Sequence, residues 1–183
     1  MRELAPTPGQ TVGPFFGYAL PYAGGSDLVP TSHPGAIRLH GTVYDGAGEP
    51  IPDALIEIWQ ADENGTVPRA PGSRSRDGWT FTGFGRVAVD PVGHYSFTTV
   101  RPGPTEAGRA PFFAVTVFAR GLLHRLLTRA YLPLDAAVTD PFLSSLPEDR
   151  RSTLMARPDE QGLVFDIRLQ GDHETVFLSY GDA

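Results

Sequence analysis

Hydrophobic and polar positions alternate with the period of a strand along most of this chain. In residues 36–45, AIRLHGTVYD, the apolar Ile37, Leu39 and Val43 alternate with Arg38, His40 and Thr42, and Asp45-Gly46 supplies a turn. In residues 53–65, DALIEIWQADENG, Leu55 and Glu57 share one side and Ile56 and Ile58 the other, closing at Asn64-Gly65. GFGRVAVD (83–90) and HYSFTTV (94–100) read as a hairpin joined through Pro91-Val92-Gly93. APFFAVTVFARG (110–121) is different. Phe112, Ala114, Thr116 and Phe118 share one face, and Phe113, Val115, Val117 and Ala119 the other. Both faces are mostly apolar, which predicts a strand covered on both sides. LLHRLLTRAYLP (122–133), LVFDIRLQG (163–171) and ETVFLSY (174–180) read as further strands. SLPEDRRSTLMA (145–156), with Ser145 as N-cap, acids early and arginines later, predicts one short helix.

Residues 1–34 break the pattern. Pro6, Pro8, Pro14, Pro21, Pro30 and Pro34 punctuate them, so they predict an extended arm rather than a helix. The arm carries Phe15, Phe16, Tyr18, Leu20 and Tyr22 but cannot build a core of its own, so it must lie on something else: this chain's own sandwich or, the sharper expectation, a partner subunit. Residues 66–82, with Arg69, Arg74 and Arg76, read as a surface loop, and 101–111 as a crossing loop. The resulting expectation is an all-β fold: a two-sheet β-sandwich over 35–183, an extended N-terminal arm over 1–34 and one short helix.

Composition narrows this picture. At 183 residues the chain is long enough for one full core, and 21 Gly and 18 Pro suit many turns between short strands. A net charge of -6 argues against nucleic acid as a partner. With no cysteine there is no thiolate ligand, nucleophile or disulfide. Neither a signal-peptide run nor a membrane span is read, so a cytoplasmic protein with no membrane contact is the expectation. The histidines are His33, His40, His94, His124 and His173, and no two stand at a ligand spacing of one or three intervening residues. His40 and His94 fall on polar faces and are expected at the surface. No phosphate loop and no G-x-S-x-G occurs, and Glu148-Asp149 and Asp159-Glu160 read as solvated carboxylates. A hydrolase therefore lacks its base cluster, whereas a non-catalytic, transthyretin-like binding module stays open.

Five blocks, in order, carry a family resemblance: TPGQTVGPFF, HGTVYDGAGEPIPDALIEIWQADENG, GHYSFTTVRPG, TVFARGLLHRLLTRAYL and FDIRLQGDHETVF. Together, from Thr7 to Phe177, the chain resembles the intradiol ring-cleaving dioxygenases. The resemblance implies a β-sandwich and an assembly of paired α and β chains around a non-haem ferric iron. The iron-bearing chains of that family hold the metal with two tyrosines and a His-x-His pair. The matching positions here are Val67, Thr105, Phe112 and Ala114, so the resemblance implies that this chain binds no metal and has no catalytic residue of its own. Fe(III) is then expected in the partner β subunit, with protocatechuate at the subunit interface. The resemblance further assigns Thr11, Gly13, Pro14, Phe15 and Arg120 to the substrate entrance. Phe15 stands where a tyrosine is often found, so a hydroxyl contact is lost there. Arg120 would attract and orient the substrate carboxylate. Arg109 matches an arginine beside the iron of the iron-bearing chain, and without iron it reads as vestigial or structural.

Overall fold

Residues 36–44 form β1 (Ala36–Tyr44), the central strand of the first sheet, as their alternation requires. The computed structural model describes residues 16–69, 77, 80–133 and 140–180. β1 pairs antiparallel with β4 (His94–Val100), and parallel with β8 (Gly162–Val164) and β9 (Ile167–Arg168). Beyond β8 lies β7 (Arg157–Asp159), a strand that the sequence pattern does not announce. The second sheet runs in the order β3 (Phe84–Ala88), β2 (Leu55–Trp59), β5 (Phe112–Phe118), β6 (Leu126–Tyr131). The two sheets meet through Leu39, Val43, Tyr95 and Phe97 from one side and Ile56, Ile58, Phe113, Val115 and Val117 from the other, all buried. Each such side chain contributes roughly 1.5–3 kcal/mol of burial, which holds the layers together. The fold is the expected all-β sandwich. No helix among the described residues is long and apolar enough to cross a membrane.

Local readings differ from the structure in several places. The first is the hairpin at 83–100, because β3 and β4 belong to different sheets. Asp90 holds the turn by accepting from the Val92 and His94 N–H groups, and the chain then crosses to pair with β1 from Thr42↔His94 to Ala36↔Val100. A β3–β4 hairpin would have left one edge of β1 unpaired beneath the core, and unpaired buried backbone is costly.

The second is the helix. There are two short ones, α2 (Pro141–Ser145) and α3 (Glu148–Ser152), after α1 (Phe16–Ala19) in the arm. Asp140, not Ser145, is the first cap: its carboxylate accepts from Phe142 N at 2.9 Å and Leu143 N at 3.2 Å. Pro147 divides the pair, because proline disfavours the helical conformation at the preceding Leu146.

The third is the tail. Residues 174–180 form no strand, although Leu178 N donates to Leu127 O at 2.7 Å beside β6. A side chain interrupts any ladder there, since Thr128 Oγ1 donates to Val176 O at 2.7 Å.

The fourth is His40, which is buried. Its strand is central, with β4 on one side and β8 on the other, and the side chains of His94 on β4 and Asp159 on β7 stand beside it on the face that alternation alone leaves to solvent. Its Nε2 lies 3.0 Å from Asp159 Oδ2, and its Nδ1 lies 3.5 Å from His94 Nε2. Burial would raise the Asp159 carboxyl, but the Gln161 and Gly162 N–H groups and His40 outweigh it and hold that carboxyl below its usual range. Burial, with help from Arg38, lowers the His94 imidazole.

Described residues of the arm lie against this chain's own sandwich. Thr98 N donates to Ser26 O and Leu28 N to Thr98 O, so residues 26–28 run along the free edge of β4, and Leu28 enters the core. Arg86 fastens the arm to β3: its Nη1 donates to Leu20 O at 3.1 Å and its backbone N to Gly25 O at 2.8 Å. Residues 1–15 lie outside the described residues.

Candidate functional site

The second face of β5 is the informative one. Phe113, Val115 and Val117 are fully buried between the sheets, whereas Phe112, Ala114, Thr116 and Phe118 are only partly covered. The strand is thus not sealed on both sides. Across this outer face Trp59 of β2 stands opposite Ala114, and Ala114 stands opposite Arg129 of β6. A methyl between two long side chains leaves a hollow. The result is a cavity of about 270 Å³. Trp59, Phe112, Pro111 and Val67 form its apolar walls, Thr105 and Gln60 add polar atoms, and Tyr180 of the tail lies beside it.

Arg129 dominates the electrostatics of the cavity. Its guanidinium lies 4.3 Å from the centre of the Phe112 ring and 5.6 Å from that of Phe142. Nη1 donates to Tyr131 Oη at 3.0 Å, and Tyr180 also shares a hydrogen bond with it. Burial disfavours the charged guanidinium, yet the two phenols more than compensate and raise its pKa. Burial likewise raises the Tyr131 hydroxyl, against the pull of Arg129. No ion pair to Arg129 occurs among the described residues, whose five bridges involve other groups. Gln60 is fully engaged: Nε2 donates to Ala61 O and Val100 O, and Oε1 accepts from Thr99 Oγ1.

Val67, Thr105, Phe112 and Ala114, scattered in sequence, all line this cavity. They are the four positions that the family resemblance matches to iron ligands. The residues present do not fit a ferric ion. Three carry no donor atom and the fourth only a neutral hydroxyl, while the nearest charge is the Arg129 cation, which repels a metal. No cluster of three or more His, Cys, Asp or Glu suited to a metal occurs among the described residues.

Arg120 lies away from this cavity. Arg120 follows β5 at the Leu55↔Phe118 end, whereas the cavity sits at the Trp59↔Ala114 end. Its side chain is 68% exposed, and Nε lies 3.2 Å from Asp53 Oδ2. It is therefore a paired, exposed cation that does not line this cavity. Thr11, Gly13, Pro14 and Phe15 lie outside the described residues. Arg109 pairs with Glu106 at 3.4 Å and does not line the cavity, which suits a structural role. Trp59, Arg129 and Tyr180 escaped the sequence reading. Trp59 and Arg129 sit on strands of recognisable type, but only the β2–β5–β6 register brings them to Ala114.

Comparison with known proteins adds a family. A model described as "Dioxygenase" matches residues 13–171. The protocatechuate 3,4-dioxygenase alpha chain of Burkholderia cepacia is 39% identical over 97% of this chain and 99% of its own length. The beta chain of the same enzyme from that organism is 31% identical over 76% of this chain and 66% of its own. Among solved structures, the dioxygenase domain of a dioxygenase carbohydrate-binding protein fusion from Streptomyces sp. SirexAA-E superposes with a TM-score of 0.57. It is 27% identical and covers 91% of this chain and 99% of that one.

Proposed function

Because the chain belongs to the intradiol dioxygenase family, we propose that it is the non-iron α subunit of a protocatechuate 3,4-dioxygenase, working in the cytoplasm. In this reading Fe(III) resides in the partner β subunit. The reaction is cleavage by O2 of the ring bond between the two catechol hydroxyls, giving 3-carboxy-cis,cis-muconate. The partner's iron supplies Lewis acidity towards the catechol, and this chain supplies the wall and the charge of the substrate entrance. One observation carries the assignment: Val67, Thr105, Phe112 and Ala114 converge on one cavity, and none offers a phenolate, imidazole or carboxylate ligand. A chain similar over its full length to α chains, with that composition at that place, suits the subunit that holds no metal.

Arg120 is the entrance residue of this reading. An exposed guanidinium at a strand end can face a neighbouring subunit, and its fork matches a carboxylate. Replacing it with alanine in the αβ complex should raise KM for protocatechuate while changing kcat less. A hydrogen bond to a charged group contributes about 1.5–3 kcal/mol, and solvent and the Asp53 carboxylate reduce that toward about 1 kcal/mol. The expected rise in KM is therefore about five-fold, with catechol, which lacks the carboxylate, nearly indifferent. Equal damage to both substrates would instead assign Arg120 to the strand end.

Two further outcomes follow. The chain expressed without its partner should hold no stoichiometric iron and show no tyrosinate-to-iron colour, as metal analysis and visible absorption would register. Tightly bound iron there would refute the assignment. In this reading the arm over residues 7–22, with Thr11, Gly13, Pro14 and Phe15, contributes to the contact with the β subunit in addition to the tie of Leu20 to Arg86 within this chain. Deleting it should weaken the heteromer in analytical ultracentrifugation while the sandwich still melts cooperatively. An unweakened complex would remove the arm from the interface.

A further inference from the structure

We propose that the cavity bounded by Trp59, Phe112, Ala114 and Arg129 is itself a binding site for a monocyclic aromatic carboxylate. The inference stands on this chain's own cavity, whatever the role of the partner subunit. Size is the first argument. A cavity of about 270 Å³ exceeds the ~150 Å³ void that accepts benzene in an engineered core, so one substituted ring fits. The walls are the second. Trp59, across the sheet from Ala114, and Phe112, two residues before it on β5, present aromatic surface to the space that the Ala114 methyl leaves open.

Charge is the third argument, and it selects the ligand. Arg129 is partly buried, lies on the Phe112 face and is hydrogen-bonded to Tyr131 and Tyr180, which are neutral phenols. Neutral partners satisfy donors but do not balance a charge. Arg86, on the same outer face, shows the contrast, because it is matched by Glu57. Among the described residues no carboxylate does the same for Arg129, so an anion entering the cavity would supply the missing counter-charge. A guanidinium fork prefers a planar carboxylate. Gln60 cannot compete for that role, since its amide is already committed at both ends. Ring and carboxylate together thus define the ligand, without any requirement for ring hydroxyls.

Benzoate is a direct probe, with benzyl alcohol as its uncharged counterpart. The chain has two tryptophans, so in a full-length Trp79→Phe background Trp59 alone reports on its own cavity wall. Benzoate should change Trp59 fluorescence saturably, and benzyl alcohol should bind roughly ten-fold more weakly, the scale of one charge-assisted hydrogen bond. Arg129→Gln should weaken benzoate by a similar factor and leave benzyl alcohol unchanged. Because Arg129 packs on two rings and its loss could unfold the chain, Ala114→Phe gives a second arm: it should fill the hollow and abolish the response to both probes. No saturable response to benzoate, equal affinity for the two probes, or undiminished binding in Ala114→Phe would each overturn the proposal.

Discussion

Gly41→Ala should destabilise the sandwich by about 3–4 kcal/mol, one of the largest effects a single added methyl can have here. Gly41 lies in the middle of β1, and a Cβ at that position would stand 2.0 Å from Phe165 O and 2.6 Å from its carbonyl carbon. Both are backbone atoms, so no rotamer change relieves the clash. Either β1 or the segment joining β8 to β9 must move. Overpacking of this kind costs about 1–3 kcal/mol. The same movement loosens two hydrogen bonds, from Phe165 N to His40 O at 2.7 Å and from the buried Tyr95 hydroxyl to Phe165 O. Each contributes about 1 kcal/mol. A urea titration would show the loss as a lower midpoint, and an unchanged midpoint would mean that the strands separate at no cost. The cavity by Ala114 is on the other sheet, so binding of the benzoate probe to the folded variant should persist.

Arg86→Met should cost about 3–5 kcal/mol, because it strands Glu57 without its partner in a largely enclosed site. The two side chains are only 13% and 17% exposed, and Nε of Arg86 donates to Glu57 Oε1 at 2.7 Å. Screening by solvent is therefore weak. The double variant Glu57→Gln/Arg86→Met should recover most of the loss, since the expensive species is the unpaired charge rather than the missing pair. A deficit in the double variant as large as in the single would show that packing, not charge, sets the cost. Arg86 also ties down the arm through Leu20 O. Amide exchange over residues 20–25 should accelerate in both variants, independently of the charge balance.

Much of this architecture is written locally. Alternation in 36–44 gives a strand because a side-chain period of two buries one face only in an extended chain, and the short, mostly apolar runs at 55–59 and 112–118 have strand length. Asp45-Gly46 and Asn64-Gly65 mark turns through local chemistry. That Phe112 and Ala114 offer no donor atom is equally legible, although only the family resemblance marks them as ligand positions. These features depend on residue type and near neighbours, and the sequence by itself determined them.

What the tertiary structure decided is partnership. HYSFTTV is a strand by its own pattern, but its pairing with β1 instead of β3 depends on which edge of which sheet would otherwise be unsatisfied. His40 has the position of a surface residue in its strand and is buried because that strand is central in its sheet and His94 of β4 and Asp159 of β7, the latter more than a hundred residues later, stand against it. The cavity is the sharpest case. Trp59, Ala114 and Arg129 are each ordinary strand residues, and only the joint register of three strands sets a methyl between an indole and a guanidinium. Register is a long-range choice: it is fixed by the packing of the opposite, buried face, where Phe113, Val115 and Val117 must interlock with the other sheet. A linear pattern carries the preference of each strand for its core face. It does not carry which residues then meet across the outer one.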